Sequence, residues 1–166
     1  MTKLPRSFYD RNDVVAIARE LLGKKLVTRI NDVTTAGIIT ETEAYAGIGD
    51  RASHAFGGRH TARNAVMYGP AGFAYVYLCY GIHHLFNVVT NAIDVPHAVL
   101  IRAVHPVIGL DAMRERRHQK NLTTGGPGTL TQALGILTKH SGVDLLGDVI
   151  TIEDTDIHIP KRSIII

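Results

Sequence analysis

The chain has 166 residues, 45% hydrophobic and 20% charged, with a formal net charge of +3. That composition excludes a disordered tail, and a chain of this size buries roughly 70% of the surface its unfolded form exposes; one domain, residues 1–166, is expected. The lone cysteine, Cys79, excludes an intramolecular disulfide and suits a reducing compartment, while no signal-peptide core opens the sequence and no apolar run reaches the roughly 20 residues that span a bilayer.

Residues 13–22 predict a helix, with Val14, Ile17, Ala18, Leu21 and Leu22 on one apolar face. Asp10 or Asn12 is the expected N-cap, and Gly23 the stop. Residues 24–30 and 34–45 read as strands joined by an Asn31-Asp32 turn. Residues 46–72 are rich in Gly, Arg and His without a clean period, which reads as a long functional loop with a helical turn around Thr61–Met67. Residues 73–79, His84–Thr90 and Ala98–Val104 return to strand character, with a turn at Tyr80-Gly81. Leu110–Gln119 is a candidate helix carrying Arg114, Arg116 and Arg117. Gly125-Gly126-Pro127-Gly128 leads into another at Thr129–Leu137, and a last strand is expected at Val149–Glu153. Strands and helices do not alternate regularly, so the expected class is α+β: a mainly antiparallel, curved sheet with helices packed at its side.

Four features carry candidate chemistry. In Glu41-Thr42-Glu43-Ala44-Tyr45, strand alternation puts Ile39, Glu41, Glu43 and Tyr45 on one face. A carboxylate there can orient a water and accept its proton, although paired glutamates also decorate ordinary solvated strands. Phe73, Tyr75 and Tyr77 share another strand face that can stack on a flat base or simply fill a core. Tyr80, at the turn, can wedge between base pairs. The nine histidines include no pair with a convincing metal spacing, so no metal and no cofactor is expected. Among the cations, Arg59 and Arg63 lie in the loop, where they can meet a DNA backbone. Arg102, between Ile101 and Ala103 in an apolar strand, needs an anionic partner. The Gly125–Gly128 stretch reads as a phosphate-binding turn or as a plain tight turn. Motifs for dinucleotides, Walker-type phosphate binding and serine hydrolysis are absent.

Taken in order, GKKLV (23–27), GIITETEAYAG (37–47), DRASHA (50–55), TARNAVM (61–67), YVYLCYGIHHLFNVV (75–89), AVLIRA (98–103) and GPGTLTQALGI (126–136) resemble the alkyladenine, or 3-methyladenine, DNA glycosylases. These are the single-domain enzymes unrelated to the helix-hairpin-helix glycosylases. The resemblance implies a monofunctional glycosylase that flips a damaged purine out of duplex DNA and hydrolyses its N-glycosidic bond. It implies Glu43 as the base that activates water and Arg102 as its partner. Tyr45, His54, Tyr77 and Asn87 would line the base pocket, and Tyr80 would be the minor-groove wedge. The implied substrates are 3-methyladenine, 7-methylguanine, hypoxanthine and ethenoadenine. A monomer acting on duplex DNA, with no membrane partner, is expected, in the cytoplasm of a prokaryote or the nucleus of a eukaryote. Three positions depart from the family pattern. Thr129 stands where a cation is usual, and His105 where an acid is common. The chain also ends in Ser-Ile-Ile-Ile after Lys161-Arg162, where relatives continue into an aromatic-rich strand, so the terminus is expected to be truncated or divergent. A lesion-binding module without cleavage is the alternative reading, and a metal-dependent hydrolase built on the histidines a third.

Overall fold

In the computed structural model, which describes residues 2–166, a short helix α1 (Arg6–Tyr9) precedes α2 (Val14–Leu21). The sequence pattern did not reveal α1, which is only one turn long. α2 buries Val14, Ile17, Ala18 and Leu21, the stripe its spacing predicts. Its cap is Asp13, whose carboxylate accepts from the Ala16 N–H at 2.9 Å. Of the two expected caps, Asp10 instead closes α1.

β1 (Lys25–Ile30) and β2 (Val33–Tyr45) form the expected hairpin, with Asn31 and Asp32 at φ of 52° and 61°. Two consecutive left-handed residues make the hairpin turn whose twist matches its strands. β3 (Ala74–Cys79) and β4 (His83–Thr90) form a second hairpin. β5 (His97–Ile108) runs past its expected end at Val104, and β6 (Ile150–Glu153) closes the far edge. All six strands pair antiparallel, in the order β3-β4-β5-β2-β1-β6, and the sheet is curled.

α3 (Leu110–Arg117) and α4 (Pro127–Leu134) pack on one face of the sheet with α2, over a core that includes Ile17, Leu26, Ile39, Phe86, Ile101, Met113 and Leu134. The basic cluster on α3 serves the fold. Arg116 donates to the Ala133 carbonyl at 3.0 Å, Arg117 to Gln132 at 2.6 Å, and Arg114 pairs with Asp111. Thr129 closes the first turn of α4: its hydroxyl donates to the Gly126 carbonyl at 2.8 Å and accepts from the Gly126 N–H at 3.0 Å. With that N–H engaged and Pro127 lacking one, the glycine stretch works as a helix cap more than as a phosphate cradle. The opposite face is covered by the 46–72 loop, which holds three short helical turns, Gly47–Gly49, Phe56–Gly58 and Ala65–Tyr68. Beneath it lies a second core of Ala55, Met67, Tyr75, Val89 and Ala98.

The regular alternation of β2 and β5 breaks near the candidate site. Ile39 pairs with Val104, Glu41 with Ala103 and Thr42 with Ile101. Thr40 is therefore an extra residue on β2, and Arg102 an extra residue on β5. Each bulge shifts the two-residue side-chain period by one position. Ile39 consequently joins the core on the helix side, as Ala44 does, whereas Glu43 and Tyr45 point to the loop side. The expected shared face holds from Glu41 onward and fails for Ile39. β1 pairs with β2 only over Val33–Ile38, so the stretch carrying Glu41 and Glu43 is paired on its β5 side alone. Its other edge opens onto a groove of about 860 Å³ bounded by α2 and residues 159–166.

Candidate active site

Glu43 sits where that groove meets the loop side of the sheet. Its Oε1 accepts from the Tyr45 hydroxyl at 2.9 Å, and its Oε2 from Arg102 Nη1 at 2.5 Å. Arg102 also donates through Nε to Glu41 Oε1 at 2.9 Å. The anion that Arg102 requires in an apolar strand is thus a pair of carboxylates from the neighbouring strand. The Glu43 and Arg102 side chains keep 38% and 39% of their exposure, enough to meet solvent in the groove. The Glu41 bond, against the opposing effect of burial, holds the Arg102 guanidinium firmly charged, with Glu43 adding to it. The Tyr45 phenol is pushed well above its ordinary value, first by burial and then by the Glu43 hydrogen bond and charge. It therefore stays a donor across the working pH range.

Beyond Tyr45 lies a small cavity of about 20 Å³, lined by Tyr45, Ala52, His54, Met67, Tyr75, Tyr77 and Asn87. The loop and two strands converge here. His54 Nδ1 and the Tyr75 hydroxyl are 2.8 Å apart, and the His54 ring meets the Tyr77 ring at 4.3 Å between centroids. Burial, then the charges of Arg63 and Arg59, lower the His54 imidazole below its ordinary value, which favours the neutral ring. Burial raises Tyr75 to about 12 and also raises Tyr77. Asn87 is buried and donates to the Tyr75 and Leu85 carbonyls at 3.2 and 3.4 Å. Four residues expected at the pocket, Tyr45, His54, Tyr77 and Asn87, thus line one cavity, and Glu43 and Arg102 adjoin it through Tyr45.

The remaining expected residues lie around this centre. Tyr80 caps the β3–β4 hairpin at 92% exposure, with φ of 52° followed by Gly81 at 71°. Arg63 reaches back to it, donating to the Leu78 carbonyl at 2.6 Å with its guanidinium 5.2 Å from the Tyr77 ring centroid. Arg59 is exposed on the loop. Phe73 precedes β3, and its ring packs under Arg6 at 5.0 Å, apart from the tyrosine cluster. Sequence reasoning placed Tyr75 on the candidate stacking face and Glu41 beside Glu43 without giving either a role at the site, and it did not select Met67 or Ala52 for the pocket. Strand alternation signals Tyr75 and Glu41, which share faces with Tyr77 and Glu43. Met67 and Ala52 lie in the aperiodic loop, where no pattern marks them. Among the described residues no group of three His, Cys, Asp or Glu side chains is placed to hold a metal ion, and no helix is long and apolar enough to cross a membrane.

Residues 7–165 match the family model described as methylpurine-DNA glycosylase (MPG). A protein of Chlamydia felis (strain Fe/C-56), named "Putative 3-methyladenine DNA glycosylase", is 49% identical over 165 residues, covering 97% of this chain and 81% of its own length. Proteins of the same name from Bacillus thuringiensis (strain Al Hakam) and Clostridium acetobutylicum are each 46% identical. They cover 90% and 92% of this chain and 76% and 78% of their own lengths. The class is therefore DNA glycosylase, a DNA-repair enzyme that hydrolyses N-glycosyl bonds. Within that class, the chain belongs to the methylpurine-DNA glycosylase family.

Proposed function

We propose that this protein acts as a single-domain, monomeric and monofunctional glycosylase. It removes 3-methyladenine, 7-methylguanine, hypoxanthine or ethenoadenine from duplex DNA by flipping the base into the tyrosine-lined cavity and attacking C1′ with a water activated by Glu43. The observation that carries this reading is the position of Glu43, held by Arg102 and Tyr45 between an open groove and an aromatic cavity. A carboxylate offers about four lone-pair sites, and two are taken here. The others are free to orient a water and take its proton.

The charge balance suits the reaction. Glu41, Glu43 and Arg102 together carry one net negative charge at the place where an oxocarbenium ion would develop. An alkylated purine already carries positive charge and leaves readily, so the base needs a slot more than an acid. The slot is narrow: about 20 Å³ is room for little more than a water molecule, so a purine must widen it. Arg63 packs over Tyr77 and Glu43 bonds to Tyr45, so widening the slot at either tyrosine has to shift one of these contacts. In this reading Tyr80 fills the gap left in the duplex, His54 and Tyr77 contact the flipped base, Asn87 screens its exocyclic group, and Arg59 and Arg63 meet phosphates. No lysine lines either cavity, which supports hydrolysis without a Schiff base.

Single-turnover release of hypoxanthine from an inosine-containing duplex tests this. Glu43→Gln is expected to lower the rate by roughly 10²–10⁴-fold with lesion binding retained and no strand cleavage by the parent protein. Binding without release by the parent would favour a lesion-recognising module. An unchanged rate in the variant would remove Glu43 from the chemistry.

A further inference from the structure

Glu41 does not line the aromatic cavity, yet it makes one of the two side-chain bonds that fix Arg102. Left alone, an arginine and a carboxylate favour two parallel N–H···O bonds that occupy both carboxylate oxygens. That arrangement is not present here. The guanidinium spends its Nε on Glu41 and meets Glu43 through Nη1 and one oxygen, Oε2. The second oxygen, Oε1, is left to the Tyr45 hydroxyl. Each Glu43 oxygen therefore accepts one hydrogen bond and keeps one lone pair. The bulge at Arg102 creates this division, because as an extra residue it projects between Glu41 and Glu43 instead of opposite one of them.

We propose that Glu41 is a positioning residue for the reaction: by anchoring Arg102 through Nε it holds the guanidinium end-on to Glu43 and keeps a Glu43 lone pair open to the attacking water. The inference rests on the reading of Glu43 given above. Without the Glu41 carboxylate, the guanidinium can pivot into the two-bond arrangement with Glu43. It then competes with Tyr45 and closes the water's place. The cluster also changes from one net negative charge to neutral, which weakens the field at the developing oxocarbenium ion.

The test is single-turnover hypoxanthine release from an inosine-containing duplex, followed against protein concentration so that the maximal rate and the half-saturation point separate. Glu41→Gln is expected to lower the maximal rate on the order of 10-fold with half-saturation unchanged. Arg102→Gln is also expected to be slow, and the double variant no slower than Arg102→Gln alone, because Glu41 has nothing left to position. A Glu41 effect that multiplies with the Arg102 effect, or one confined to half-saturation, overturns the proposal. Glu41→Gln at the wild-type rate, with Glu43→Gln and Arg102→Gln still slow, overturns the positioning role and leaves the Glu43 reading standing. Wild-type rates in all three variants overturn that reading as well. The side chain is 53% exposed, so the isosteric amide is expected to leave the melting temperature unchanged. Should it fall, Glu41→Asp supplies the deciding comparison, since it restores the anion: a rate above that of Glu41→Gln supports the proposal, and an equal rate overturns it.

Discussion

The role proposed for Glu43, a base, requires a carboxylate held without being neutralised, and the residues around it are divided along that line. Arg102 supplies charge to one oxygen, and Tyr45 supplies a neutral donor to the other. The phenol's raised proton affinity, due first to burial and then to Glu43 itself, keeps it from becoming a second anion beside the carboxylate. Tyr45→Phe therefore isolates one hydrogen bond while keeping the ring in the cavity wall. A hydrogen bond to a charged group contributes about 1.5–3 kcal/mol. If about half of that is felt in the transition state, the single-turnover rate drops by roughly 3–10-fold. Half-saturation by lesion DNA is expected to stay within about twofold, because the stacking surface is unchanged. A variant that loses affinity and keeps its rate would assign Tyr45 to base binding alone.

At the scale of elements, the β3–β4 hairpin sets local geometry against function. Tyr80 occupies the first left-handed position of its turn, where bulky L-residues are disfavoured and asparagine is preferred. Ordinary folding gives no reason for an aromatic ring at 92% exposure in that conformation, so the strain fits a role in contacting DNA. Tyr80→Asn creates an Asn-Gly turn and is expected to raise stability by up to about 1 kcal/mol, seen as a higher melting temperature. The same change is expected to slow base release from a lesion duplex at subsaturating protein. A variant that is both more stable and fully active would remove Tyr80 from recognition. The two hairpins were legible in the sequence because their turn residues and flanking alternation agree. The α2 stripe was legible for the same reason, its apolar period being regular. The bulges at Thr40 and Arg102 were not legible. Nothing in a β-branched threonine or an isolated arginine announces an extra residue, and pure alternation therefore placed Ile39 beside Glu43 when it belongs to the opposite core. The loop behaved likewise: His54 could be named from its motif, while Met67 and Ala52 reach the cavity through 46–72 backbone turns that carry no period.

Across the whole molecule, three histidines from distant parts of the chain give stability a common dependence on pH. His54 in the loop, His97 at the start of β5 and His140 after α4 all have imidazoles lowered below 6.5, in each case chiefly by burial, with Arg63 and Arg59 adding for His54 and Lys139 for His140. Their contacts depend on neutral rings or tolerate them. The His140 Nδ1 accepts from the Leu137 N–H at 2.9 Å, which a protonated nitrogen cannot do, and the His97 Nδ1 lies 3.2 Å from the Asn91 amide. Between the folded and unfolded values of these groups the unfolded chain binds more protons than the folded one, so stability rises with pH in that window. It is fully present above the unfolded value, about 6.5, and is lost as pH falls through the lower folded values. Asp144 and Glu153 act in the same direction at lower pH. For both, burial is outweighed by ion pairs, with Arg6 for Asp144 and with Lys25 and Arg29 for Glu153, so their contribution is lost only below the ordinary carboxylate range. The melting temperature is thus expected to be flat above about pH 7, to fall as the pH drops below about 6.5 on account of the histidines, and to fall again below about pH 4 as the carboxylates protonate. His140→Asn should make the first decline shallower, leaving the His54 and His97 contributions, and keep the second in place, since an asparagine amide does not titrate. A melting temperature constant down to pH 5 would show that the three rings are not held neutral together. As pH falls further, through the lowered folded value of His54, its protonation would add a cation to the wall of the proposed base cavity, so release of a cationic base such as 7-methylguanine is expected to slow more there than release of neutral hypoxanthine. Equal slowing of the two would assign the loss to the fold, because a change of charge beside the base acts differently on a charged and a neutral base.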